Sequence, residues 1–323
     1  MYKNLMRKML WACLTLFCAT LILFVLIRLA PGDPIRLLLG PPADVAMIDT
    51  EAYDRKVNEL RAHHGLDQPI VVQYVSWMKR LLQFELGASI HTGRDVGAEM
   101  MDRLPVTMLL SIAALALQIV LGLFFGTVSA LRAGKVQDQA IRLACVTIAS
   151  TPSFALGLVL LSFFAVTLGA YEISSDAGIT RLWLPAATLG LMGAPPFIRI
   201  IRANLLSELG RTYVLSALSR GLDRKRVVRH ALRNALLPLI TLVALSLTML
   251  VSGAVVIESI FSWPGIGKYA LDSILLKDYP VIQGYALVMI SVAILIHLLV
   301  DVVYAIMDPR IGRNREADLH EYA

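Results

Sequence analysis

Six stretches of this chain stay apolar long enough to cross a lipid bilayer: Leu10 to Leu29, Val106 to Leu131, Ile141 to Leu168, Leu182 to Ile201, Leu236 to Ile260 and Val281 to Tyr304. A helix of about 20 apolar residues spans the roughly 30 Å of hydrocarbon. The expected fold is therefore an all-α, polytopic membrane protein with six transmembrane helices. Composition agrees with this, since only 17% of the 323 residues are charged and 57% are hydrophobic. Soluble domains carry closer to about 25% charged residues, and the mean hydropathy here is +0.68.

Charge placement sets the direction of threading. Lys3, Arg7 and Lys8 precede the first apolar run, the segment Arg199 to Arg233 alone holds nine basic residues, and the short outer loops carry only Arg181, and then Lys268 and Lys277. Positive charge collects on the cytoplasmic side. Both termini are thus expected in the cytoplasm. The first apolar run is longer than a signal-peptide core, and Pro31 follows Ala30 where cleavage would fall, so it reads as a retained helix. A pI near 9.3 does not point to nucleic acid, because the basic residues adjoin apolar runs instead of interleaving with aromatics. Cys13, Cys18 and Cys145 all lie inside apolar segments without ligand spacing and read as packing residues.

The chain divides into a first helix (1–30), an outer helical cap (31–104), a five-helix core (105–308) with a cytoplasmic loop at 204–236, and a tail (309–323). Leu29 to Pro34, LAPGDP, is a turn cluster that stops the first helix. In the cap, Asp49 or Thr50 opens a helix ending before Gly65, and Asp67, Gln68 and Pro69 open a second, with Tyr74, Trp77 or Met78, and Leu81 at helical spacing. Aromatic residues there suit the headgroup level. His63, His64 and His91 lack acidic or cysteine partners at fixed spacing, which argues against a metal site.

Within the spans, Thr151-Pro152-Ser153, Gly193-Ala194-Pro195-Pro196 and Gly253 are expected to interrupt helices. Breaks in lipid require neighbouring helices or a wet cavity to satisfy the freed backbone groups. Few ionisable groups are expected inside the spans: His297 and Asp301 on the last, with Arg199 and Arg202 closing the fourth.

The long polar segment Arg211 to Pro238 reads as two short helices. Gly221 suits the left-handed residue that ends the first, and Asp223 suits the N-cap of the second. In the second, Lys225, Arg226, Arg229 and Arg233 share an arc of roughly 100°, with Val227, Val228, Ala231, Leu232 and Ala235 on the other side. Such a basic amphipathic helix can lie on a membrane surface; scattered Lys and Arg for topology alone is the competing explanation. The preceding stretch Tyr213 to Ser219 is short, apolar and outside the membrane, and an apolar knob there calls for a protein socket.

Catalytic signatures do not occur in the sequence. Gly134-Lys135 and Gly267-Lys268 lack the glycine spacing and hydroxyl of a phosphate loop, and neither HExxH nor GxSxG is found. A transporter component is what this leaves. A stand-alone secondary transporter would need a coupling-ion site and a repeat between halves, and a membrane scaffold would need neither a cap nor broken helices.

The chain resembles the inner-membrane permease subunits of ABC importers for peptides and nickel, in the branch of the oligopeptide, dipeptide and nickel permease B subunits. The resemblance runs along essentially the whole chain. It is carried by RLAPGDP (28–34), GLDQPIVVQY (65–74), RLPVT (103–107), TPSFALG (151–157), SRGLDRKRVVRHALRNALLP (219–238), VIESIFSWPGIG (256–267), DYPVIQ (278–283) and DPRI (308–311).

By that resemblance the chain forms half of a heterodimeric pore with a second permease subunit. Two ATP-binding subunits hold the ATP and Mg, this chain binds no cofactor and catalyses nothing, and an extracytoplasmic binding protein delivers peptides, nickel or metal chelates. The family's EAA loop corresponds to Leu215, Ser216, Ala217 and Gly221, leading to Leu237-Pro238; its acidic first residue is replaced by Leu215. The coupling residues implied are Tyr213, Leu215, Ser216, Ala217, Leu218, Arg220, Gly221 and Leu222.

Overall fold

Each apolar run becomes helix in the computed structural model, which describes residues 2–29, 39, 50–63, 67–174, 176–236 and 238–307. In chain order the helices are α1 (Tyr2–Leu29), α2 (Thr50–His63), α3 (Ile70–Leu82), α4 (Val96–Leu131), α5 (Val136–Ser150), α6 (Ser153–Leu161), α7 (Ile179–Leu209), α8 (Thr212–Ser219), α9 (Arg224–Ala235), α10 (Leu239–Ile260), α11 (Ile266–Leu275) and α12 (Tyr279–Met307). Five of them are long and apolar enough to cross a membrane, and the bent pair α5–α6 makes a sixth crossing if it counts as one span. The LAPGDP turn, His64, Gly65, Leu237 and the tail from Asp308 lie outside the described residues, as do the side chains of His63 and Asp301.

Of the three breaks expected within the spans, the one at Thr151-Pro152-Ser153 forms and the other two do not. The span expected over Ile141 to Leu168 is two helices meeting at 101°. Thr151 and Pro152 both take extended backbone there, because proline lacks an N–H and forces the preceding residue out of the helical region. After α6 the chain continues as a π-helical turn over Ser162–Thr167. By contrast, α7 runs unbroken through Pro185, Pro195 and Pro196, and α10 runs unbroken through Gly253. Packing overrides the intrinsic cost of proline in α7, where Ala194, Pro195, Phe197 and Ile198 are all buried. Gly253 has open space around it instead, so it neither kinks α10 nor admits a neighbour.

The structure falls into two compact units. One comprises Met1–Leu104 and Tyr269–Ile294. Its aromatic cluster joins α1 to α3: Phe24 stacks on Trp77 at 5.9 Å and meets Tyr74 edge-on at 5.2 Å, with Leu287 of α12 closing the cluster. Trp77 is buried by this packing, so it is a docking residue for α1 and not the headgroup anchor expected of it. Beyond α3, Ser89 donates to the Asp278 carboxylate at 2.5 Å and the Ile90 N–H donates to it at 3.2 Å. His91 shares a hydrogen bond with the Leu276 carbonyl. No group of three or more potential metal ligands occurs among the described residues.

The second unit comprises Pro105–Lys268 and Leu295–Ala323. Its core is built from α4, α7 and α10 around Leu110, Leu184, Phe197, Ile201, Ala254 and Ile257, and it is completed by Phe261 and Trp263 after α10. Arg181, expected as a charge in an outer loop, sits instead in the first turn of α7 and is 8% exposed. It donates to the carbonyls of Glu172, Asp176 and Phe261 and lies over the Tyr171 ring, which fastens the loop before α7. A buried guanidinium is tolerated because its fork finds this many acceptors.

Candidate functional site

The segment between α7 and α10 folds as expected into two short helices, and the turn between them follows from one residue. Gly221 has φ +78, a conformation that costs other L-residues about 1–2 kcal/mol. With it in place, the Gly221 N–H donates to the Leu218 carbonyl at 3.0 Å and the Leu222 N–H to the Ala217 carbonyl at 3.2 Å. This is a Schellman ending, which satisfies the last carbonyls of α8. Asp223 takes the N-cap position of α9, but its side chain makes no capping bond.

All the residues expected to couple lie on α8 and this turn. Val214 is buried and Ala217 half-buried, so one side of α8 faces its own chain. On the other side Leu215, Leu218 and Leu222 are 64%, 42% and 45% exposed. Leu215 and Leu218 stand one turn apart on the eight-residue α8 and Leu222 follows just past the Gly221 turn; these three make up the exposed apolar ridge of the segment. Ser216, Arg220 and Gly221 are exposed around it. The knob anticipated at Tyr213 to Ser219 is therefore this leucine ridge, and Ala217, placed among the coupling residues, stands on its flank.

What holds α8 in place was not read from the sequence. Glu208, 9% exposed at the end of α7, accepts from the Tyr213 hydroxyl at 2.8 Å and pairs with Arg211 at 2.8 Å. Burial foremost, and then the bond to Glu208, raises the Tyr213 hydroxyl above its ordinary range. Asn204 of α7 donates to the Ala235 carbonyl of α9 at 3.2 Å, while Val227, Ala231 and Ala235 are buried on the inner side of α9. Between these elements is an open groove of about 530 Å³ lined by Asn204, Ser207, Glu208, Arg211, Tyr213 and Asn234. The Glu208–Arg211 pair, three residues apart across the Gly210 turn, was the available signal.

Three buried polar clusters inside the second unit also escaped the sequence reading, which expected few ionisable groups in the spans. Asp138 of α5 is 1% exposed. It accepts a two-pronged bond from Arg202 of α7 at 2.7 and 2.8 Å, with further bonds from Ser129 and the Gly134 N–H. Gln118 of α4 donates to the Leu189 carbonyl and accepts from Ser246, joining α4, α7 and α10. Glu258, fully buried near the end of α10, accepts from Thr107 at 2.5 Å and from the Lys268 N–H at 2.9 Å, while the Ile266 N–H donates to Thr107 at 2.9 Å. The carboxylate thus sits on the first turn of α11, where unpaired N–H groups and the helix dipole favour an anion.

The comparisons with known proteins fit this layout. Residues 104–313 match the family described as binding-protein-dependent transport system inner membrane component, and residues 1–111 match its N-terminal companion. The chain belongs to this family. This permease is 35% identical over 330 residues to the di/tripeptide transport system permease protein DppB of Pseudomonas aeruginosa, covering 93% of this chain and 96% of the relative. It is 33% identical over 312 residues to the glutathione transport system permease protein GsiC of Escherichia coli, covering 96% and 99%. Among solved structures, an inward-facing form of the MetNI methionine ABC transporter aligns with a TM-score of 0.54 at 17% identity, over 65% of this permease and 96% of that chain. At that identity the likeness concerns the fold. The permease is therefore an importer subunit that spans the membrane and contributes the transport pathway, not a known catalytic component.

Proposed function

We propose that this permease is one half of a heterodimeric pore driven by ATP hydrolysed on separate subunits, and that the drive enters through α8. One observation carries the reading: an apolar ridge of Leu215, Leu218 and Leu222 stands exposed outside the membrane spans, on α8 and the turn that ends it, a segment tied to the end of α7 by Glu208, Arg211 and Tyr213. An exposed ridge of this kind fits a partner's socket. Two ATP-binding subunits would supply the sockets, one for this permease and one for its partner permease. Closure of those subunits around ATP and Mg would shift α8, and α7 with it, in a hinge-type change that opens the pathway outward to a binding protein. Both termini are cytoplasmic in this arrangement, which the basic residues of α9 support. The substrates named for the relatives, di- and tripeptides and glutathione, favour short peptides over the nickel chelates that the sequence alone kept open.

The test is a reconstituted transporter carrying Leu218→Asp. Membrane insertion and assembly with the second permease should persist, while stimulation of ATP hydrolysis by the loaded binding protein falls at least tenfold, a loss that corresponds to about 1.4 kcal/mol of docking. Full stimulation in this variant would refute α8 as the point of entry.

A further inference from the structure

The apolar ridge accounts for α8 but leaves the charge on α9 unused. Lys225, Arg226, Arg229 and Arg233 are all exposed, and their side chains make no ion pair or hydrogen bond among the described residues. At about 100° per residue they occupy a single arc of roughly 100°, centred about half a turn away from the buried stripe Val227, Ala231 and Ala235. That stripe packs on Leu205 and Ala130 of the permease itself. A helix that lies in a lipid interface needs a free apolar face to insert beneath its charged one. Here the apolar face is taken up by the protein's own core and the charges point directly away from it.

We infer that the basic arc of α9 is a second docking strip for the ATP-binding subunit, continuous with the leucine ridge across the Gly221 turn, and that it meets a carboxylate-rich rim beside the apolar socket. This rests on the coupling role assigned to α8. The two parts divide the work by their physics. Apolar burial on α8 supplies contact that salt does not weaken, whereas the arc attracts and orients the partner over a distance set by ionic strength. The Gly221 and Leu222 N–H groups close the end of α8 with bonds at 3.0 and 3.2 Å and α9 starts two residues later and packs against α8, so ridge and arc are presented together. A partner that engages both is held in register along α8, whose own exposed apolar side chains are only Leu215 and Leu218.

The experiment titrates the purified ATP-binding subunit onto the assembled permease pair in nanodiscs, across ionic strength. The variant K225Q/R229Q/R233Q should lose about tenfold in affinity at about 0.1 M salt, and the loss should vanish near 1 M, where the screening length is only about 3 Å. The charge-keeping variant K225R/R229K/R233K should restore wild-type affinity and salt dependence, which separates charge from folding. An unchanged affinity in the glutamine variant overturns the inference. So does a defect that appears in phosphatidylglycerol nanodiscs but not in phosphatidylcholine ones, since the arc would then belong to the lipid surface. Leu218→Asp distinguishes the two readings: if it leaves affinity and stimulation intact the coupling role of α8 fails, whereas if it abolishes both and the glutamine variant is silent, only the docking strip fails.

Discussion

Gly221 offers a quantitative test of how α8 is held. The residue sits at φ +78 and ends α8 with two backbone bonds, yet a Cβ placed there would meet nothing within 4 Å. Any cost of substitution is therefore conformational and not steric. Alanine in the left-handed region costs about 1 kcal/mol, and a β-branched residue costs more, about 2 kcal/mol. The chain can escape that strain only by unwinding the last turn of α8, which gives up both bonds and moves Leu222 off the ridge. A cost of about 1–2 kcal/mol lowers the ratio of intact to unwound turns by a factor of roughly 5 to 30. Asparagine tolerates the left-handed region and should cost only a few tenths of a kcal/mol. Binding-protein-stimulated ATP hydrolysis, measured in reconstituted transporters at matched protein levels, should therefore rank wild type and Gly221→Asn together, then Gly221→Ala, then Gly221→Val. Undiminished stimulation with valine would refute the reasoning, and so would an asparagine variant as impaired as valine.

Other parts of the structure yield shorter predictions. Tyr213→Phe removes one of the two bonds that pin α8 to Glu208; it should lower stimulated hydrolysis by about 1.5–2 kcal/mol of coupling, with little change in Tm. Asp138→Ala leaves Arg202 and Ser129 without their carboxylate; a loss of about 3 kcal/mol should show as a clear drop in Tm in detergent, and Arg202→Ala added to it should cost little more. A methyl group at Gly265 would overlap the Glu258 carboxylate, so Gly265→Ala should destabilise by at least about 2 kcal/mol and reduce the yield of folded protein, while Gly253→Ala should be neutral. Trp77→Ala empties the aromatic cluster under α1; limited proteolysis should then cleave next to α3, with about 3 kcal/mol lost from that unit.

Hydropathy carried the helices because each apolar run is local information. Tyr2–Leu29 and Tyr279–Met307 contain the runs expected of them, and Leu239–Ile260 covers its run except for Leu236 to Pro238 at the start. The short helices around Gly221 were legible for the same reason, since the glycine, Asp223 and the apolar stretch between Tyr213 and Ser219 lie within a dozen residues of one another and local rules apply. Proline was legible only in part. The same residue type bends the chain by 101° at Pro152, yet sits inside a continuous helix at Pro195 and Pro196. The difference is tertiary: α7 is packed along most of its length, whereas Phe154, Leu158 and Val159 beyond the bend are exposed. A proline's helix-breaking cost of about 3 kcal/mol is overridden only where enough buried surface depends on the helix continuing.

The buried polar clusters mark where sequence reasoning stopped, and the reason bears on how the bundle works. Thr107 meets Glu258 across 151 positions of chain, and Gln118 meets Ser246 across 128. No local pattern links such partners, and each residue taken alone reads as a tolerated polar substitution in an apolar helix. Apolar side chains facing lipid gain nothing from one neighbour over another, because lipid tails are as apolar as leucine. Relative helix positions in the bundle must then be fixed by close packing and by groups that cannot be left unpaired, and those are these clusters. Asp138–Arg202 ties α5 to α7, Gln118 joins α4, α7 and α10, and Glu258 fixes the turn after α10 to Thr107 of α4. Displacing α7 from below therefore cannot move it alone. Breaking the Arg202 fork would strand a buried carboxylate at a cost of several kcal/mol, more than the coupling of about 1–3 kcal/mol typical between linked sites, so under the proposed drive α5 and α7 would shift as one body and the rearrangement would fall to joints without such pairs among the described residues, first among them the bend at Pro152.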